Sequence, residues 1–264
     1  MSERPTTALV TGASSGIGLE LARLLAADGQ HVTLVARDRA RLEKVAAELR
    51  ERHGGEPAVI VADLADPDTP EAICRQVEAG GRDVAVLVNN AGIGSHGPFA
   101  EADLTRELAI IQVNVTALAH LTGLALPGMV RRRSGRILNV ASTAAFQPGP
   151  LMAMYYASKA FVVSFSEALA EELAGSGVTV TVLCPGPTRT EFQRRAGMDG
   201  IPVASGFPPL ADGAAVARAG YRAMRRGARL AIPGLLNRLG VLSVRLSPRR
   251  LVVAVVRRMH ERRP

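Results

Sequence analysis

Apolar runs of four to six residues alternate with longer amphipathic stretches from the start of the chain. Thr7–Val10, His31–Ala36, Ala58–Ala62, Val84–Val88, Arg136–Val140 and Val178–Leu183 are rich in β-branched residues and read as strands. Leu19–Ala27, Arg39–Arg52, Pro70–Ala79, Leu104–Arg133 and Tyr155–Ala174 carry helical spacing, with Gly29, Gly54-Gly55 and Gly135 as stops. Nearly continuous apolar strands alternating with helices predict an α/β fold, a doubly wound parallel sheet covered by helices on both faces. The rhythm breaks between 188 and 212, a polar segment with Gly and Pro that reads as a lid or binding loop. Asp212 then caps a helix to Arg226, and Leu230–Ile232 follows as a last strand. Helices over Leu235–Leu246 and Pro248–Arg262 come next, with Ser247 as cap and Pro248 at the first position of the second. The expected organisation is one domain over 1–233 and a basic helical tail over 234–264.

A chain of 264 residues, 47% hydrophobic, is ample for one large core. No run of about 18 apolar residues stands out as a membrane span, and no charged-then-apolar leader opens the chain. A cytoplasmic protein is expected, with Cys74 and Cys184 as free thiols. No metal-ligand spacing occurs. The net charge of +8 is unevenly spread: residues 218–264 hold thirteen Arg and one acid, Glu261. That distribution, without a recognised reading motif, argues against nucleic acid as a partner.

Thr11-Gly12-Ala13-Ser14-Ser15-Gly16-Ile17-Gly18 joins the first strand to the first helix. Glycines admit a pyrophosphate close to the backbone, and the helix N-terminus offers free N–H groups and a favourable dipole. The second strand ends in Ala36-Arg37. Ala36 cannot accept a bond from the ribose hydroxyl of NAD, whereas Arg37 suits the 2′-phosphate of NADP, so NADP(H) is favoured over NAD(H). Asp63 and Leu64 follow the third strand and are assigned to the adenine end of the same site, with a helix-capping role as the alternative for Asp63.

Tyr155 and Lys159 are four residues apart and so share one helix face. Bringing a phenol from about 10 to near neutrality takes about 3 to 4 kcal/mol. One positive charge at about 4 Å in an intermediate dielectric supplies that order of energy. Lys159 is one of two lysines among thirty-two basic residues. Tyr156, out of that register, is read as packing.

The glycine loop, Asn89-Asn90-Ala91-Gly92, Asn114, Ser142, Tyr155, Lys159 and Pro185-Gly186 occur in one order. Together they resemble the short-chain dehydrogenase/reductase family, in its compact single-domain branch, over about Thr6 to Thr190. The resemblance implies a Rossmann fold and hydride transfer between a nicotinamide and a carbonyl or alcohol. It makes Tyr155 the general acid/base and Ser142 the group that orients the reacting oxygen. Lys159 would hold the nicotinamide ribose, and Asn114 would position a water linking Lys159 to solvent. Asn90, Ala91 and Gly92 would lie beside the adenosine ribose, with Asn89 chiefly structural. Pro185, Gly186 and Thr188 would lie at the nicotinamide, Thr188 bonding its carboxamide.

Pocket candidates are His96, Phe99, the mostly apolar stretch Ala144 to Met152, Phe192, Met198 and Phe207, which suggests a hydrophobic carbonyl or secondary alcohol as substrate. In the tail, residues 251, 252, 255, 256 and 259 form one apolar helical face. It reads as packing on the body or another subunit, or as peripheral contact of 248–264 with anionic lipid. A homo-oligomer, dimer or tetramer, is expected. A non-catalytic NADP(H)-sensing protein of the same fold remains the alternative function, and a related lyase or epimerase a third.

Overall fold

The computed structural model describes residues 4–198, 200–201 and 210–261. Among them, strands β1 (Thr6–Thr11), β2 (Val32–Ala36), β3 (Ala58–Val61), β4 (Asp83–Asn89), β5 (Gly135–Val140), β6 (Val178–Leu183) and β7 (Leu230–Ala231) form one sheet. Its order is β3-β2-β1-β4-β5-β6-β7, and every pairing is parallel. The connections reverse direction between β1 and β4, which opens a crevice at the carboxyl ends of those strands.

Alternation along the strands decides which helices cover which face. Ala8, Val10, Leu34 and Val88 pack with Leu21, Leu25, Leu42 and Met224. These come from helices α1 (Gly16–Ala27) and α2 (Arg39–His53) and a later helix over Gly213–Arg225. Leu9, Val35, Leu87 and Ile137 point the other way. Of the helices α3 (Thr69–Ala79), α4 (Leu104–Ile111), α5 (Ala117–Arg131) and α6 (Ala153–Glu172), α3, α5 and α6 meet them, while α4 packs on α6. After the short α7 (Phe192–Arg195), the Gly213–Arg225 helix is α8, and α9 (Leu235–Leu246) and α10 (Arg249–His260) end the described chain. The centre of the expected lid, Phe207 included, lies outside the described residues.

Three expectations need correction. The single helix expected over 104–133 is interrupted by a π turn at Gln112–Thr116. Its 104–131 span is, by length and composition, apolar enough to cross a membrane. Here it is a core helix whose Val113, Leu121 and Met129 are buried against the sheet. Gly135 does not stop it: Arg133 takes the turn at φ 50. Gly135 opens β5, where a Cβ would lie 2.6 Å from the Met129 side chain. Finally, Pro248 rather than Ser247 occupies the N-cap position of α10. The Ser247 hydroxyl instead donates to Ser243 O at 2.8 Å and closes α9.

Polar ties cross the centre of the sheet. Asn89 Nδ2 donates to Asn139 Oδ1 at 2.9 Å and to Thr122 Oγ1 at 3.1 Å. Asn139 Nδ2 donates to Ser166 Oγ at 2.9 Å. This chain locks β4, β5, α5 and α6 together beneath the crevice, in accord with a structural role for Asn89. Asn139→Ala strands buried partners and is expected to cost about 1 to 3 kcal/mol, read as a lower urea midpoint with an unchanged slope.

Candidate active site

The β1–α1 loop is packed too tightly for side chains. Gly12 has φ +65, and a Cβ on Gly18 would lie 2.3 Å from Asn90 Nδ2 and 2.4 Å from Gly12 O. Asn90 Nδ2 donates to Thr11 O at 2.9 Å and Gly12 O at 3.3 Å, so its amide pins the loop. Ser15 is the N-cap of α1 and makes no side-chain capping bond. The first-turn N–H groups are therefore left for an anion.

Arg37 and Asp63 face each other across the ends of β2 and β3, with 3.7 Å between charged atoms and both side chains exposed. Asp63 Oδ1 accepts the Ala65 N–H at 3.0 Å. It caps a local turn rather than a helix, since α3 starts only at Thr69. Leu64 is buried and lines the same crevice.

At the other end, Ser142 follows β5. Its Oγ accepts the Ala144 N–H at 3.1 Å, which starts a 3-10 turn over Thr143–Phe146. Ser142 Oγ also donates to Pro185 O at 3.5 Å. Tyr155 and Lys159 share one face of α6, with Nζ 5.8 Å from the ring centroid. Lys159 is buried and donates to Val140 O at 2.9 Å. Burial pushes the Tyr155 phenol up to about 12, opposed by the nearby Ser142 hydroxyl. Burial also brings Lys159 down to about 8. Desolvation therefore sets the direction at Tyr155, against the depression expected from the ammonium. The phenol is protonated at neutral pH, the form needed to give a proton to a carbonyl oxygen.

Asn114 sits in the π turn, buried. Its Oδ1 accepts the Ile93 N–H at 2.9 Å, and its Nδ2 donates to Ile93 O and Ser158 Oγ, both at 3.0 Å. It therefore fastens the segment after Gly92 to α6. A Cβ on Gly92 would lie 3.3 Å from Lys159 Nζ. The Thr188 hydroxyl donates to Gly186 O at 2.8 Å and shapes the loop after β6.

One cleft of about 1230 Å³ joins these groups. Gly12, Ser14, Ser15, Gly16, Ile17, Arg37, Asp63, Leu64, Asn90, Ala91 and Gly92 line one end, and Ser142, Tyr155, Lys159, Pro185, Gly186 and Thr188 the other. Gly18 and Asn114 stand behind the wall. Phe99 is exposed and does not line the cleft, because its 3-10 turn points to solvent. Phe192 packs against Tyr155, with ring centroids 5.0 Å apart and the planes tilted by 43°.

The tail contributes what the sequence reading missed. Val252 and Val256 of α10 are buried with Met152, Tyr156 and Met198 in a cluster that walls the cleft. Tyr156 is more than packing: its hydroxyl and His260 Nε2 share a hydrogen bond of 2.6 Å. His96 Nε2 meets His260 O at 2.8 Å. The signal was present in the spacing, since 252, 256 and 260 follow one another at four-residue intervals.

The short chain dehydrogenase family model matches residues 6–199. The chain belongs to this family. It is 39% identical over 193 residues to the very-long-chain 3-oxoacyl-CoA reductase of Anas platyrhynchos, covering 71% of this chain and 61% of that protein. Two further curated relatives are matched over 66% and 52% of their lengths. Among solved structures, it superposes on a short-chain dehydrogenase from Sphingobium yanoikuyae in complex with NADPH, with a TM-score of 0.81 and 34% identity over 90% of this chain and 92% of that one. A bulky-bulky ketone specific alcohol dehydrogenase from Comamonas testosteroni gives a TM-score of 0.77 and 30% identity over 91% and 93%.

Burial, reinforced by the neighbouring His96, brings His260 down to about 4 from 6.5. A depressed folded-state value means that its contribution is complete above about 6.5 and is lost as pH falls toward 4. Limited proteolysis of the tail should accelerate across that window. His260→Gln should remove this acid-dependent component, which separates it from His31, also lowered by burial.

Proposed function

We propose that the protein is an NADP(H)-dependent oxidoreductase that reduces the carbonyl of a hydrophobic substrate. The observation that carries this reading is the convergence, in one cleft, of a glycine cradle, an exposed Arg37 and the Ser142–Tyr155–Lys159 group. The cradle fits a dinucleotide: side chains are excluded at Gly12 and Gly18, and the helix N-terminus is uncapped. Arg37 suits a 2′-phosphate. The NADPH-bound structural relative supports the same cofactor.

When bound, NADPH supplies the hydride that adds to the carbonyl carbon. Ser142 and Tyr155 hydroxyls orient the carbonyl oxygen, and Tyr155 gives it the proton, leaving an alcohol. Lys159 holds positive charge beside the developing phenolate and would hold the ribose hydroxyls of the bound cofactor. Asn114 is a positioning residue that acts through Ile93 and Ser158. Apolar walls from Phe146, Met152, Phe192, Val252 and Val256 support a hydrophobic substrate. The names of the ketone-specific and oxoacyl-reducing relatives point the same way. Exposed Leu104, Leu108 and Phe161 on α4 and α6 offer an apolar face for a second copy, in line with the expected homo-oligomer. Unpaired Cys74 and Cys184 support a cytoplasmic setting.

Tyr155→Phe should cut NADPH oxidation against hydrophobic ketones by about 10² to 10⁴-fold while NADPH binding persists. Equal loss of binding and turnover would reject the acid role. Arg37→Ala should weaken NADPH binding by about tenfold or more and leave NADH binding unchanged, as titration of cofactor fluorescence would read.

A further inference from the structure

Helix α9 is amphipathic in the reverse of the usual sense. Val241 faces inward and is buried. Leu235, Leu239, Leu242 and Leu246 fall on the opposite face, at helical spacing, and all are exposed, from 52% to 79%. Leu236 and, on α10, Leu251 and Val255 extend this surface, and these three also line the cleft. The exposed leucines therefore continue into the mouth of the site. Arg238 and Arg245 flank the row on α9, and Arg249, Arg250, Arg257 and Arg258 lie along α10, all exposed. The only acid in the segment, Glu261, is paired with Arg257 at 2.8 Å.

We infer that α9 and the outer edge of α10 form a docking surface for an anionic lipid bilayer, which places the mouth of the cleft against the membrane. An exposed apolar row bounded by arginines is the pattern of a helix lying in the headgroup region. Charge selects the occupant. A symmetric contact with a second copy would set the same arginines against each other. A nucleic acid would meet the arginines and leave the leucines in water. The surface also differs from the tail face expected from sequence: on α10, Val252, Val256 and His260 turn inward to wall the cleft, so α9 carries most of the exposed row. The inference deepens the hydrophobic-substrate reading and rests on it only for the use of the surface, delivery of an apolar substrate from the bilayer.

The test is co-sedimentation of the full chain with phosphatidylglycerol-containing and pure phosphatidylcholine vesicles, without substrate. Preferential binding to the anionic vesicles is expected, falling as salt rises. Leu239→Asp with Leu242→Asp, and separately Arg245→Glu with Arg249→Glu, should each weaken it by about tenfold or more with NADPH binding unchanged. None of these four residues lines the cleft. Absence of vesicle binding by the wild type, or binding indifferent to both double variants, overturns the inference. So does a dimer that the leucine variant splits into monomers while vesicle binding stays unaltered. Because no substrate is present, these outcomes stand apart from failure of the ketone panel.

Discussion

A buried ammonium at the carboxyl edge of the sheet is the constraint around which the site is arranged. Lys159 lies 4% exposed, and Val140 O holds its Nζ at 2.9 Å. A buried charge without such a partner would be costly. The bond fixes α6 to the end of β5, and with it the relation of Tyr155, one turn earlier on α6, to Ser142, two residues past Val140. Asn114 ties α6 in turn to the segment after Gly92, through Ser158 and Ile93. Removing the ammonium would therefore disturb geometry as well as charge.

The alternation of strands and helices was plain in the sequence because parallel strands buried on both faces cannot hide their apolar character. The site was legible where its chemistry depends on local order: the glycine loop and the Tyr155–Lys159 spacing each lie within a few residues. Effects created by distance in three dimensions were not legible. Burial reversed the expected direction at Tyr155. Nothing near Tyr156 in the sequence announces His260, which lies 104 residues away. Ser247 could have capped α10, but the chain uses its hydroxyl at the end of α9. Local signals do not say which of two adjacent helices a shared polar residue will serve.

The tail changes the character of the cleft. The sheet and its loops supply the polar groups and part of the apolar wall, with Phe146, Met152 and Phe192, while α9 and α10 add Leu236, Val252 and Val256 to it. The cleft is thus completed by elements outside the alternating βα framework, joined to it through Val252, Val256 and the Tyr156–His260 contact. The same cluster touches Tyr155, so the tail and the Ser142–Tyr155–Lys159 end are mechanically joined rather than independent.

The π turn at Gln112–Thr116 has a consequence for how the long helix is counted. A π turn holds one residue more than an α turn, and one residue rotates a helix by about 100°. The stripes that α4 and α5 show to the protein interior are therefore out of phase. Glu107 and Asn114 are seven residues apart, and heptad arithmetic would stack them on one face of an unbroken helix. Across the π turn both still reach the segment after Gly92, Glu107 accepting from Ser95 Oγ and Asn114 clasping Ile93 and Ser158. The surplus residue is taken up at the turn itself, and the stripe that follows on α5 starts from a shifted phase.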